Sequence, residues 1–393
     1  MLFSLALIFL CGMTLGGIFK KLKLPALLGM LITGILLGPY VLNLLDDSIL
    51  SISADLRQIA LIIILTRAGL NLNMEDLKKV GRPAVLMCFL PACAEIIGML
   101  VLAPALLDLS LLDAAILGTV IAAVSPAVIV PKMLKLMEEG YGTSQSIPQM
   151  IMAGASVDDV FVIVLFTSFT GLAAGGSLEP LSLVKIPTSI IFGVLTGVIV
   201  GIVLAELFHR IHMRDSMKVV IILSVSFLLV TLENAVTGYI GFSGLLAIMS
   251  LGVALHRKRP AAAERLSLKY SKLWVASELW LFVLVGATVD IYSALEQGFS
   301  AVLLIFGVLI FRMLGVLCCV LKTPLTGKEC AFCMLAYCPK ATVQAAIGSI
   351  PLTMGLTCGN TVLTVAVLAI LITAPLGAFA IDLTYKKWLL KTN

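Results

Sequence analysis

The sequence predicts an all-α polytopic membrane protein of about thirteen transmembrane helices, with its N-terminus outside and its C-terminus cytoplasmic. Three observations carry that expectation. Of 393 residues, 60% are hydrophobic and 12% charged, against about a quarter charged in soluble domains, and the mean hydropathy is +1.13. The apolar residues come in runs of roughly 17 to 25, the length a helix needs to cross about 30 Å of hydrocarbon, and not in the shorter alternating runs of a barrel. The charges between the runs alternate in sign along the chain.

Taken in order, the runs place spans at roughly 2–19, 24–44, 56–72, 83–107, 111–136, 147–175, 186–208, 217–232, 238–255, 271–290, 298–321, 329–352 and 359–385. The first, Leu2 to Phe19, leads directly into Lys20, Lys21 and Lys23 with no small-residue cleavage site, and reads as a retained helix instead of a signal peptide. Every second connection is then basic. The clusters are Lys20, Lys21 and Lys23; Lys78, Lys79 and Arg82; Lys132 and Lys135; Arg210, Arg214 and Lys218; Arg257, Lys258, Arg259, Arg265, Lys269 and Lys272; Lys322 and Lys328; and finally Lys386, Lys387 and Lys391. The intervening connections carry Asp46, Asp47, Asp55, Asp108, Asp113, Glu179, Glu233, Asp290 and Glu296, with only Arg57 and Lys185 as bases. The positive-inside rule orients the chain from this asymmetry, and a miscounted helix would have put a basic cluster on the acidic side. The same asymmetry accounts for the formal net charge of +5 without a nucleic-acid or acidic partner.

The nine cysteines show neither zinc-type spacing nor a secreted disulfide framework and read as small core residues. The chain reads as one membrane domain, residues 1–393, with an odd span count that leaves room for two five-helix repeats of inverted orientation, the second to sixth spans and the ninth to thirteenth. The fifth span holds Ser125, Pro126 and Pro131, and the twelfth holds Pro339 and the polar run of "CPKATVQAAIGS". Interruptions at matching places in inverted halves point to a midplane transport site, whereas ordinary proline kinks are the alternative.

Seven ionisable residues lie well inside spans: Arg67, Glu95, Asp158, Asp159, Glu278, Arg312 and Lys340. Each costs a few kcal/mol or more if it faces lipid, so these groups are expected to face one another or water. Four are acidic and three basic, so one bound Na⁺ or H⁺ would complete the balance. Asp158 and Asp159 are adjacent in mid-helix, about 100° apart around its axis, so one can hold a cation while the other pairs with a base. Two carboxylates this close in low dielectric cannot both ionise cheaply and titrate as a coupled unit. A hard oxygen site that takes either a proton or a dehydrated Na⁺ or Li⁺, and not both, enforces exchange by competition. The plainer alternative locks both aspartates in permanent salt bridges to Arg312 and Lys340.

Glu95 and Arg312, in the fourth and eleventh spans, are expected to form a buried ion pair bracing the broken helices, with direct participation in the ion site as the alternative. Lys340 is expected to neutralise carbonyls at a half-helix C-terminus. Arg67 is expected to snorkel towards the interface. Glu278 stands outside the expected core as a relay or gating candidate, and His209, His212 and His256 read as interfacial residues.

The stretches "LTRAGLNLN", "TVIAAVSPAVIVPKML", "ASVDDVFVIVLFTSF", "PKATVQAAIGS" and "TVLTVAVLAILITAPLG" resemble the cation/proton antiporter superfamily, and within it the NHA-type Na⁺/H⁺ antiporters shared by bacteria and animals. The resemblance runs from about residue 55 to 380 in the family's order. It implies a homodimer in the cell membrane without a cofactor, exchanging Na⁺ or Li⁺ for H⁺ by an elevator-like cycle. Core helices would lie at about 83–175 and 298–385, and dimerisation or scaffold helices at about 1–72 and 186–290. It implies that Asp159 is the essential ion ligand and Asp158 its partner, with Thr119 and Ser125 near the site. It also implies that Arg312 stands where relatives often carry a lysine. An arginine cannot release its proton, which leaves stoichiometry open.

Three rival functions fit parts of the same sequence. A Na⁺-coupled organic-anion symporter shares the architecture, but the aspartate pair with its buried bases favours cation exchange. An intramembrane aspartyl protease needs its aspartates on separate helices, and an ion channel needs a filter or a charged ring that the sequence lacks.

Overall fold

The computed structural model describes residues 1–22, 24–71, 81–175, 180–236 and 241–391. Lys23, Lys78, Lys79 and Glu179, part of the charge alternation, lie outside the described residues. In chain order the helices are α1 (Leu2–Lys21), α2 (Ala26–Leu37), α3 (Asp47–Ser51), α4 (Ser53–Asn71), α5 (Arg82–Met87) and α6 (Leu90–Leu107). Then come α7 (Leu111–Ala122), α8 (Pro126–Glu138), α9 (Ile147–Gly175), α10 (Pro180–Arg210), α11 (Asp215–Val236) and α12 (Gly244–Lys258). The series ends with α13 (Pro260–Ala287), α14 (Ile291–Val320), α15 (Gly327–Ala336), α16 (Thr342–Ile347), α17 (Ile350–Thr353) and α18 (Gly359–Trp388).

Among the described residues, nine helical stretches are long and apolar enough to cross a membrane. They are Leu2–Lys21, Arg82–Leu107, Leu111–Glu138, Ile147–Ala174, Ile191–Arg210, Asp215–Glu233, Pro260–Ala287, Gly298–Val320 and Gly359–Trp388. The other expected spans fall on α2, α4, α12 and the interrupted series α15 to α17. α2 and α12 are short, at 12 and 15 residues, and α4 is diluted by Asp55, Arg57 and Arg67.

Several boundaries differ from expectation. α13 begins at Pro260, not near 271, so Arg265, Lys269 and Lys272 ride on a helix and not in a loop. Proline preset for the first turn, followed by three alanines, starts the helix early. Likewise Lys132 and Lys135 lie on α8, where Lys132 pairs with Asp382 of α18. Arg57, counted among the loop bases, is 3% exposed within α4.

The chain divides into two compact units. One comprises Met1–Ala54, Glu75–Val162 and Leu279–Asn393, the other Asp55–Met74 and Ile163–Glu278.

In the second unit α10 and α12 pack backbone to backbone. A Cβ at Gly197 would collide with the carbonyl oxygen of Ala247, and one at Gly201 would lie 2.6 Å from that of Leu251. Small residues at this spacing are what close packing of membrane helices requires, because lipid supplies no hydrophobic drive between helices. In the same unit Arg67 of α4 and Glu278 of α13 are both half-buried. His256 Nδ1 lies 2.6 Å from the carbonyl oxygen of Leu70, joining α12 to the end of α4.

The first unit carries the broken helices. The fourth expected span is itself interrupted, at Cys88 and Phe89 between α5 and α6. Pro91 explains this, since its ring displaces the carbonyl four residues back, that of Met87, and offers no N–H in return. The freed carbonyl accepts the Tyr337 hydroxyl at 2.9 Å. Gly154 leaves the room, because a Cβ there would come within 2.8 Å of that hydroxyl and 2.7 Å of Met87 Cβ. Tyr337→Phe orphans a buried carbonyl and is expected to cost about 1–3 kcal/mol. A lowered thermal midpoint of the purified protein, with unchanged ion selectivity, is the result that checks it.

Candidate functional site: an interrupted-helix charge cluster

Two interruptions meet in the first unit. α7 stops at Ala122 and α8 starts at Pro126, with Ser125 as its N-cap. α15 stops at Ala336 and α16 starts at Thr342. Pro126 sits at the first helical position, where a missing N–H costs nothing. Pro131 belongs to no break: α8 runs through it, as membrane helices tolerate an internal proline when only one backbone bond is lost. Pro339 lies in the second interruption, and its carbonyl accepts the Ser125 N–H at 2.8 Å, tying the two breaks together. Gly377 of α18 makes room for it, since a Cβ there would come within 2.8 Å of the Pro339 Cδ.

A broken helix exposes carbonyls at its C-terminal stub and N–H groups at its N-terminal stub, all of which need partners in the absence of water. Arg312 of α14 supplies the carbonyls of both stubs. Its Nε donates to the Tyr337 oxygen at 2.5 Å, and one terminal nitrogen donates to the Ala122 oxygen. That nitrogen also donates to Glu95 Oε2 at 2.7 Å, and the other donates to Asp158 Oδ2 at 2.9 Å. Its planar fork reaches four acceptors at once, which an ammonium could not. Gln344 of α16 adds two more bonds across the interface, from Nε2 to the oxygens of Ile121 at 3.1 Å and Ala123 at 2.8 Å.

The charges then resolve. Glu95, Asp158, Arg312 and Lys340 all have fully buried side chains. Lys340 Nζ donates to Glu95 Oε2 at 2.6 Å, so it ends on a carboxylate and not on helix-end carbonyls. Its backbone N–H donates to the Thr373 hydroxyl at 2.9 Å. Asp158 Oδ2 also accepts the Val124 N–H, within the first interruption, at 2.9 Å. Two carboxylates and two cations therefore balance within this group.

Asp159 stands apart. No ion pair reaches it among the described residues, and its Oδ1 is buried without a hydrogen-bond partner there. Further buried oxygens of the cluster share that state among the described residues: Asp158 Oδ1, Glu95 Oε1, Ser125 Oγ, Thr342 Oγ1 and Gln344 Oε1. Thr119 is buried one turn before the end of α7, and its hydroxyl is spent on the Ile116 carbonyl at 2.7 Å. Sequence reasoning thus missed Gln344, Tyr337 and Thr342. For Thr342 and Gln344 the signal was the polar run of "CPKATVQAAIGS" in an otherwise apolar segment, whereas Tyr337 lies just before it and gave none.

An interrupted-helix cluster of buried acids and bases in a polytopic helical protein defines an ion-coupled membrane transporter and not an enzyme. A sequence profile described as "Sodium/hydrogen exchanger, transmembrane" matches residues 5–387, and the chain belongs to that family of sodium/proton antiporters, with its likeness to the NHA type. It is 33% identical to mouse sodium/hydrogen exchanger 9B2 over 411 residues, covering 100% of this chain and 74% of that protein. Human sodium/hydrogen exchanger 9B1 is 32% identical over 413 residues, covering 99% of this chain and 78% of the relative. In fold it is similar to the sodium proton antiporter MjNhaP1 from Methanocaldococcus jannaschii at pH 8, with a TM-score of 0.85, 20% identity and coverage of 98% and 97% of the two chains.

Proposed function

We propose that this chain exchanges Na⁺ or Li⁺ for H⁺ across the cell membrane by alternating access, with cation and proton competing for the Asp158 and Asp159 pair. The observation that carries the proposal is the charge balance. Glu95 and Asp158 are matched by Arg312 and Lys340, which leaves Asp159 as the carboxylate without a cation partner among the described residues. Asp159 is half-buried with its Oδ1 out of water, and a carboxylate oxygen so placed is costly until a cation or a proton neutralises it, while one site can hold only one of them at a time. The oxygens of Asp158, Ser125, Thr342 and Gln344 that lack a partner among the described residues are of the hard type that a dehydrated Na⁺ or Li⁺ prefers. Arg312 stays charged at every relevant pH, so the transported proton travels on a carboxylate.

The reading includes about thirteen spans, an outside N-terminus, inverted five-helix repeats and a homodimer. In it a core at about 83–175 and 298–385 moves in an elevator-like cycle against scaffold helices at about 1–72 and 186–290.

The test uses sealed vesicles containing the protein and a preset pH gradient, followed with a fluorescent dye while Na⁺, Li⁺ and K⁺ are added in turn. Collapse of the gradient by Na⁺ or Li⁺ is the expected result. If no cation moves protons between about pH 6 and 9, where a coupled carboxylate pair can titrate, exchange is excluded. Saturable Na⁺-driven uptake of an organic anion would then replace it.

A further inference from the structure

An unwound helix at membrane depth ordinarily offers its bare carbonyls to a cation. At the first interruption those carbonyls are already taken. Ile121, Ala122 and Ala123, at the end of α7 and just past it, are at most 1% exposed. The oxygens of Ile121 and Ala123 both accept from Gln344 Nε2, at 3.1 Å and 2.8 Å, and the Ala122 oxygen between them accepts from Arg312. The N–H groups that follow are matched as well, that of Val124 to Asp158 Oδ2 and that of Ser125 to the Pro339 oxygen.

Gln344 has little room to do otherwise. Its side chain is 1% exposed on α16, whose C-cap Gly348 meets α18 so closely that a Cβ there would lie 2.9 Å from that of Ala366. On the other side α7 presses against α6, where a Cβ at Gly118 would lie 3.2 Å from that of Met99. The amide thus bridges two stubs that are each packed against a neighbouring helix.

Selection between cations of different size depends on the number of ligands and on how far a site can give. Backbone carbonyls are the ligands with which K⁺ filters replace a hydration shell. With three of them committed to side chains, a cation at the Asp158 and Asp159 pair meets fewer oxygens, which suits Na⁺ or Li⁺ and leaves the larger K⁺ short of ligands. We propose that Gln344 is a positioning residue for ion specificity: its amide withholds the Ile121 and Ala123 carbonyls from the ion and thereby disfavours K⁺. The inference rests on the exchange reading above and adds to it the device that excludes the larger ion.

The test compares Na⁺ with K⁺ by two readouts on the full chain, ionic strength being held constant with choline. One is proton movement in sealed vesicles; the other is the rise in thermal midpoint in mild detergent, since an ion that binds only the folded state stabilises it by mass action. In wild type, Na⁺ is expected to half-saturate each response at a lower concentration than K⁺. Gln344→Met keeps the length of the side chain and removes the donor, freeing both carbonyls. Its ratio of half-saturating K⁺ to Na⁺ is expected to fall severalfold, mainly through tighter K⁺ binding. Gln344→Glu serves should methionine fold poorly: a neutral acid donates to one carbonyl at most and an ionised one to neither, so the ratio falls in both states. A lowered midpoint with the ratio unchanged, or an equal loss of response to both ions, means that Gln344 only braces the fold and overturns the proposal. A wild type that prefers K⁺ overturns it too. Should Na⁺ raise the wild-type midpoint while no cation moves protons, the exchange reading fails, and the midpoint ratio alone decides the role of Gln344.

Discussion

Asp159→Asn is expected to abolish cation-dependent proton movement in vesicles while leaving the protein folded, with a thermal midpoint at or above that of wild type. The two halves of that expectation have one cause. Among the described residues, Asp159 carries a buried oxygen without a hydrogen-bond partner and no ion pair reaches it, so no contact of its charge there braces the fold. Removing an uncompensated buried charge relieves desolvation cost, whereas removing a paired one would add it. Asparagine keeps the side-chain shape but can neither ionise nor release a proton, so competition at the site ends. Asp158→Asn is expected to behave differently. Asp158 accepts from both Arg312 and the Val124 N–H, so the amide weakens a brace at the first interruption and lowers the midpoint while leaving Asp159 to titrate. Partial exchange with reduced stability is the expected pattern. A thermally fragile Asp159→Asn with residual exchange, beside an inert and stable Asp158→Asn, would reverse the two roles.

How far the site was legible in the sequence follows from what makes a residue conspicuous in lipid. An ionisable side chain inside an apolar run cannot hide, and Glu95, Asp158, Asp159, Arg312 and Lys340 stand out for that reason alone. Who meets whom is a different kind of information. Lys340 sits beside a helix end and was expected to answer its carbonyls, yet it reaches Glu95, and the carbonyls go to Arg312 and Gln344. Position along a chain fixes depth in the bilayer but not the lateral packing that brings α6, α14 and the two stubs together. Gln344 escaped because a neutral amide carries no charge to betray it. Arg57 escaped because a helix starting at Ser53 instead of 56 turns a loop base into a buried one. Prolines were legible only in part: Pro126 starts a stub, Pro131 is absorbed by its helix, and Pro91 breaks a span that reads as continuous.

Arg312→Ala is expected to cost the most stability of any single substitution in the cluster, about 3–5 kcal/mol, the usual penalty for removing one member of a buried ion pair. It does more than unpair a charge. The carbonyls of Ala122 and Tyr337, at the C-terminal stubs of α7 and α15, lose their donor together, and Glu95 and Asp158 lose a cation. Lys340 still holds Glu95 at 2.6 Å, so the freed negative charge falls mainly on Asp158. Arg312→Lys separates geometry from charge, since it restores the cation with three donors on a compact head in place of five in a rigid fork. It cannot serve two stubs and two carboxylates at once, and the expected midpoint lies between those of alanine and wild type. Apparent Na⁺ affinity in vesicles is the discriminating readout. A brace predicts a large drop in midpoint with KM for Na⁺ changed severalfold at most, and lysine recovering part of the midpoint. A large rise in KM with the midpoint preserved would instead put the guanidinium in the ion's path, where it acts by repulsion and not by holding the broken helices together.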